Sequence, residues 1–373
     1  MTTPQTIGII GGGVAGLGPA WQLATRGWNV HLFERDTIGS GASRRAAGML
    51  APTSEVTFEE KQLLRIGQQS LQMYPDWIDE LTASSGVDVD YRREGTLIVA
   101  VDRDDAEALE HLYQYHQRLG LDVERLVGDD ARQLEPGLSP NIHYALFTPH
   151  DHQVDPIRLI DALGKAFVAA GGHLHEDTEV AGVELGDDGV RAIRLDDGTA
   201  IDTEAAVVAA GAWSPRLDGI DDVLPHIRPV RGQMLAVELG SPPIIDRVVR
   251  APDAYLVPKS DGRLLIGSTM EERGFDERLT AGGLFDILEG AWEAVPGIYD
   301  APVVDTWTGF RPLTLANQPV IGPTAIDGLF LSVGHGRNGI LLSAATGYGL
   351  AEAIDTGHIP DYLRPFAPQG GSE

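Results

Sequence analysis

The pattern of this chain predicts an α/β fold: a Rossmann-type domain with a parallel sheet between helices, interleaved with a second domain built on a mainly antiparallel sheet. Three observations carry that expectation. Residues 6–34 read strand, glycine turn, helix, strand. Residues 228–303 hold several short strand-like runs, and "LFLSVGHGRNGILLSAATGYGLAEAI" near the C-terminus repeats the strand, glycine turn, helix order. At 373 residues, with 43% apolar side chains and 45 glycines, the chain exceeds the usual size of one compact domain, so two are expected.

The first unit runs from the buried strand Ile7 to Ile10 through the helix starting at Val14 to the strand "WNVHLFE". In Gly11-Gly12-Gly13-Val14-Ala15-Gly16 the first glycine makes the tight turn, the second admits a pyrophosphate to the backbone, and Gly16 lets helix and strand pack closely. The phosphates then lie on a helix N-terminus, where free N–H groups and the dipole favour anions. Glu34 closes the second strand, where a carboxylate accepts from ribose hydroxyls and repels a 2′-phosphate. NADP is disfavoured; NAD and FAD both remain open on these residues.

Next comes "GSGASRRAAGML", residues 39–50, with a hydroxyl at Ser43, basic groups at Arg44 and Arg45, and Ala46, Ala47 and Gly48 small enough for a flat ring to lie against the backbone. It reads as a segment running beside a long cofactor, or as an ordinary loop. Residues 56–147 then look mainly helical, with the strand-like "GTLIVAV" between two helices. Asp155-Pro156 reads as an N-cap and first helical residue, and Asp197-Gly198 as a hairpin turn before the buried strand "AAVVAAG". "RGQMLAVEL", "AYLVP" and "RLLIGSTM" supply the antiparallel sheet.

The formal charge of −27 repels phosphate backbones and anionic headgroups, so neither nucleic acid nor a membrane surface is expected as a partner. Lys61, Lys165 and Lys259 are the only lysines against 55 acidic residues, a surface suited to a salty cytoplasm. The absence of cysteine excludes disulfides, thiolate nucleophiles and iron–sulfur clusters. "MTTPQT" lacks the basic and apolar regions of a signal peptide, and the run from Gly339 to Ile354 is too short and too rich in Gly and Ala to span a bilayer. A cytoplasmic protein is expected. His150-Asp151-His152 has the spacing of two ligands on one strand face, but no third accompanies them, and no metal is expected.

"IGGGVAGLGPAWQLA", "FER", "GASRRAAGMLAP", "AYLVPKSDGRLLIGSTM", "TGFRPLTLANQPVIGP" and "GHGRNGILLSAATG" stand in an order and spacing that resemble the D-amino-acid oxidase superfamily of flavoproteins, and within it the glycine oxidase group, which supplies an imine of glycine to thiamine thiazole synthesis. The resemblance spans nearly the whole chain. It implies non-covalent FAD, bound by Gly11, Gly13, Val14, Ala15, Gly16, Glu34, Arg35, Ala42, Ser43, Ala46, Ala47, Gly48 and Met49. Val180 would contact the adenine side through its backbone, with Ala210 and Gly211 flanking the cofactor. Gly336, Arg337, Asn338, Gly339 and Ile340 would open a second helix whose amides face the flavin's pyrimidine end.

For substrate, the resemblance puts Arg311 and Tyr255 on an α-carboxylate, Met49, Ala51 and Met270 around a small cavity, and Arg337 at the entrance or on the carboxylate as a second cation. A guanidinium grips a carboxylate with two parallel hydrogen bonds, and a phenol adds a third. His335, in a glycine turn, reads either as an acid or base or as a turn-shaping residue. Asp253, two residues before Tyr255, is a carboxylate where this group usually has a polar or imidazole side chain, and Met270 stands where sarcosine-oxidase relatives have a lysine.

The implied activity is oxidation of glycine, sarcosine or a small D-amino acid to an imine, with dioxygen reduced to hydrogen peroxide. Rival readings are a dehydrogenase passing electrons to a carrier and a non-catalytic flavin-binding subunit. Expected partners are the small amino acid or amine, dioxygen or another electron acceptor, and a thiazole synthase; a homo-oligomer is left open. The implied domains are an FAD-binding unit of residues 1–85, 148–220 and 304–366, a substrate unit of 86–147 and 221–303, and a flexible tail at 367–373.

Overall fold

The computed structural model describes residues 5–58 and 60–368. Its first layer is a six-stranded sheet in the order Val320–Pro323, Leu329–Val333, Ala205–Val208, Thr6–Ile10, Asn29–Phe33, His173–His175. Neighbours run parallel except the first pair. Ile7, Ile9, Val207 and Leu331 are fully buried, as a sheet covered on both faces requires.

The expected helix follows Gly13 as Val14–Thr25 and crosses the last helix, Gly339–Thr356, at two glycines. A Cβ on Gly18 would come 3.4 Å from the Gly347 Cα, so the crossing is as close as backbones allow. Helices Lys61–Ser85 and Pro156–Ala169 complete the layer, sharing a core that includes Leu17, Trp77, Leu163 and Leu342. The cap expected at Asp155 forms: its Oδ1 accepts from the amides of Ile157 and Arg158, with Pro156 in the first turn. The expected hairpin forms too, from Gly189–Leu195 to Ala200–Asp202, with Gly198 at φ +85° in its turn.

The second layer is an eight-stranded sheet ordered Val303–Thr314, Ile227–Glu238, Arg263–Gly267, Tyr255–Pro258, Val248–Arg250, Thr96–Ala100, Tyr144–Thr148, Glu124–Val127. Its pairs are antiparallel but for Val248–Arg250 beside Thr96–Ala100. Helix Ala281–Ala294 covers the face opposite the cavity through Ile287 and Ala291, against Leu256 and Leu264.

Two features depart from expectation. The strand Val303–Thr314 pairs along its length with Ile227–Glu238, so residues 304–314 belong to the antiparallel sheet rather than to the first unit, and the chain re-enters the parallel sheet only at Val320. Glu124–Val127 and Tyr144–Thr148 are strands within the stretch read as mainly helical. The first is a short, charged, mostly exposed edge strand and so lacks an apolar signature. Of the tail expected at 367–373, only Ala367 and Pro368 lie within the described residues. Among the described residues, no helix is long and apolar enough to cross a membrane.

Candidate active site

A cavity of about 820 Å³ lies between the two sheets, at the carboxyl ends of the parallel strands. One end is built from the first glycine turn. Gly11 has φ +112°, and a Cβ there would sit 2.5 Å from the carbonyl oxygen of Ala209. Gly16 acts elsewhere, within the helix behind the cavity wall, where a Cβ would meet the Gly11 carbonyl at 2.1 Å. Gly13, Val14 and Ala15 line the cavity, and the Val14 amide donates to Ser43 Oγ at 3.1 Å.

Glu34 reaches this turn from the second strand. The Gly12 amide donates to its Oε2 at 2.8 Å and the Asp36 amide to its Oε1 at 3.2 Å. Burial raises the Glu34 carboxyl above its ordinary value against the lowering pull of those amides. Arg35 lays its guanidinium over Trp213, 4.0 Å from the ring centroid. Ala42, Ser43, Ala46, Ala47, Gly48, Met49, Val180, Ala210 and Gly211 all line the same cavity. Arg45 lines it as well and donates to the Thr308 carbonyl at 2.7 Å, whereas Arg44 turns away to Asp161 at 2.5 Å.

A single 3-10 turn, Gly336–Asn338, brings Gly336 and Arg337 to the cavity, and Gly339 and Ile340 reach it from the start of the last helix. Asn338 does not reach it: the residue is buried and its amide closes a turn onto the His335 carbonyl at 3.0 Å. Neither the first nor the last helix has a capping bond from its N-cap side chain or an acidic residue in its first turn. Two helix N-termini therefore face one cavity, with no acidic residue in either first turn to cancel their positive ends. That is the fit a dinucleotide with a pyrophosphate and an electron-accepting ring requires. The residues suit FAD.

The other end rests on the antiparallel sheet. Tyr255 pairs with Gly267, and Gly267 with Met234, so the three share one face. The Tyr255 hydroxyl lies 3.7 Å from Met234 Sδ, and a Cβ on Gly267 would come 2.8 Å from that hydroxyl. Arg311 donates from Nη1 to the Thr269 carbonyl at 3.1 Å and from Nη2 to Ser268 Oγ. Among the described residues no carboxylate pairs with it. Arg337 contrasts with it, held by Glu60 at 2.5 Å and by the Glu55 carbonyl at 3.2 Å.

Met49 and Met270 line the cavity, Met270 at its mouth with 62% of its surface exposed. Ala51 does not line it, a correction to the expected pocket: the strand ends at Leu50, and Ala51 turns inward to open a turn closed by the Glu55 amide at 3.1 Å. His335 is buried against Thr346 Oγ1 at 3.1 Å, and burial depresses its pKa to about 4, so the ring is neutral. His150 pairs with Asp122 at 2.9 Å and His152 with the Tyr91 hydroxyl at 2.7 Å. Among the described residues, no three His, Asp or Glu side chains converge as metal ligands.

Sequence reasoning overlooked Arg250. It sits directly opposite Tyr255 across a strand pair, lines the cavity and donates to the Ser54 carbonyl. The signal was present: Ala251-Pro252-Asp253-Ala254 between two strand-like runs is a hairpin loop, which sets residues 250 and 255 face to face. Asp253, in that loop, lines the cavity.

A family model described as FAD dependent oxidoreductase, DAO, matches residues 6–353. The chain is 35% identical over 369 residues to the glycine oxidase of Geobacillus kaustophilus, covering 98% of this chain and 97% of that protein. It is 31% identical to the bifunctional protein ThiO/ThiG of Synechocystis sp., covering 99% of this chain and 54% of that one. The crystal structure of glycine oxidase from Geobacillus kaustophilus is similar with a TM-score of 0.91 and 34% identity, covering 99% of this chain and 100% of the other.

Proposed function

Because this chain belongs to the DAO family of FAD-dependent oxidoreductases, we propose that it oxidises glycine or another small amino acid at Cα while Arg311 and Tyr255 hold the carboxylate. The chain is an FAD-dependent amino-acid oxidase. The observation that carries the substrate reading is the guanidinium of Arg311, which lines the cavity and, among the described residues, has a carbonyl and a hydroxyl as its partners. A half-buried charge so placed is completed by a ligand's acid group, gripped by charge-assisted hydrogen bonds.

FAD, when bound, supplies the two-electron acceptor for the hydride lost from Cα. The protein's part is positioning. Arg311 and Tyr255 fix the carboxylate, Met49 and Met270 narrow the space around Cα, and the neutral α-amine drives its lone pair toward the breaking bond. No side chain need take the Cα proton, and the neutral, hydrogen-bonded His335 fits a structural part in the turn. The imine is hydrolysed to oxo acid and ammonia, and dioxygen leaves as hydrogen peroxide.

A thiazole synthase is the proposed recipient of the imine, taken up before it is hydrolysed, supported by similarity to a relative named as bifunctional, of which this chain covers 54%. Anaerobic titration with glycine and a panel of small amino acids tests the reading. The purified protein should be yellow, bleach with glycine, and release peroxide on readmission of air. No bleaching with any small amino acid removes the proposal.

A further inference from the structure

We propose that Glu271 is a positioning residue for the carboxylate clamp: anchored on buried Arg231, it fixes the Ser268–Met270 segment whose oxygens aim Arg311 into the cavity. The proposal rests on the reading of Arg311 as the clamp. It begins with strand alternation. Val230 pairs with Arg311, and Gly232 lies beneath the Arg311 guanidinium, so the intervening Arg231 leaves by the opposite face.

There Arg231 is only 2% exposed, and a charge so buried needs compensation. Glu271 Oε2 lies 2.5 Å from its Nη2, Asp276 lies 3.5 Å from Nη1, and the carbonyls of Asp276 and Arg278 accept from Nη1. The backbones of Arg231 and Glu271 also exchange two hydrogen bonds, each of 2.9 Å. Glu271 is thereby fixed at main chain and side chain alike.

Its second oxygen stays on the same face as Arg231, beside Gln233, and meets the side chain of Thr269 there. Oε1 accepts from Gln233 Nε2 at 2.7 Å and from Thr269 Oγ1 at 2.7 Å, while Thr269 Oγ1 accepts from the Gln233 amide at 2.9 Å. Thr269 in turn offers its carbonyl to Arg311, and Ser268 offers its hydroxyl. The contacts run Arg231, Glu271, Thr269, Arg311. On adjacent strands and opposite faces, one arginine is neutralised by acids and the other, among the described residues, is held by neutral oxygens. Glu271 thus steadies Arg311 without consuming its charge, which an acid placed directly beside it would do, as Glu60 does for Arg337.

The test uses the FAD-loaded protein with Glu271→Gln and Thr269→Val. The second variant leaves the Arg231–Glu271 pair intact and so keeps the test open if the first misfolds. Binding of acetate, followed by its perturbation of the flavin absorbance, and KM and kcat for glycine are measured. In both variants acetate Kd and glycine KM should rise on the order of tenfold with kcat unchanged. If Glu271 acted only as a nearby negative charge, its removal would tighten acetate binding. Tighter or unchanged acetate binding in both variants overturns the positioning role while leaving the clamp standing. Failure of the unaltered protein to bind either acetate or glycine removes the clamp, and this role with it.

Discussion

Gly232 lies directly beneath Arg311: a Cβ built on it would stand 2.5 Å from Nη1 and 2.8 Å from Nη2. The absence of a side chain there lets the guanidinium rest against the neighbouring strand where it lines the cavity. Gly232→Ala should lift the clamp and lower kcat/KM for glycine by about tenfold, the cost of misplacing a positioning group. Repacking around the methyl should cost about 1–3 kcal/mol of stability. Steady-state kinetics with a thermal melt checks both, and an unaltered kcat/KM would show that the guanidinium's seat does not matter.

Arg311 and Arg337 should respond differently to truncation, because only one has its charge already paired. Arg311→Met should cost about 1.5–3 kcal/mol of transition-state binding, roughly ten- to a hundredfold in kcat/KM. Arg337→Met breaks the contact with Glu60 and should act more on stability than on catalysis. Comparing kcat/KM and melting temperature for the two variants decides it. Equal kinetic losses would mean that Arg337 leaves Glu60 to meet substrate.

How much of the fold and site is legible in the sequence depends on how local each signal is. The turn at Gly11, the cap at Asp155 and the hairpin at Gly198 are each set within a few residues, and all three form. The residues expected around FAD share one cavity except Gly16, which packs behind it, and Asn338, which turns inward. Gly232 and Gly267 look like ordinary strand glycines until the partner strands set Arg311 and Tyr255 over them. The pairing of Arg337 with Glu60 spans 277 residues of chain, and no periodicity announces it. The layer to which Val303–Thr314 belongs is hidden for the same reason, since its partner Ile227–Glu238 is distant in sequence.

Stability should fall as pH drops below about 6.5. Burial lowers His116, His152 and His335 from 6.5 to about 4, and lowers His31 and His175 as well. Between those values the unfolded chain binds protons that the folded chain refuses, so unfolding is favoured on acidification. The loss should set in near pH 6.5 and run toward pH 4. His116 is fully buried, with neither ring nitrogen hydrogen-bonded among the described residues. His116→Leu should therefore raise the melting temperature and flatten the acid limb. Melts from pH 8 to pH 4 measure both, and an identical acid limb in the variant would exclude this ring as a contributor.

Glu34 should govern cofactor affinity more than turnover. Its two oxygens each accept one backbone amide, from Gly12 and Asp36, and this fixes the carboxylate at the cavity wall with lone pairs to spare for ribose hydroxyls. Glu34→Gln cannot reproduce that: its Oε1 satisfies one amide, while its NH2 group meets the other donor head-on. FAD should bind about tenfold more weakly, the value of one charge-assisted hydrogen bond. Because Arg311 and Tyr255, the proposed clamp, line the other end of the cavity, KM for glycine at saturating FAD should stay constant. Quenching of FAD fluorescence on the apoprotein gives the dissociation constant. An unchanged constant would mean that the carboxylate serves only to shape the glycine turn, with the pyrophosphate and the two helix N-termini supplying the affinity instead.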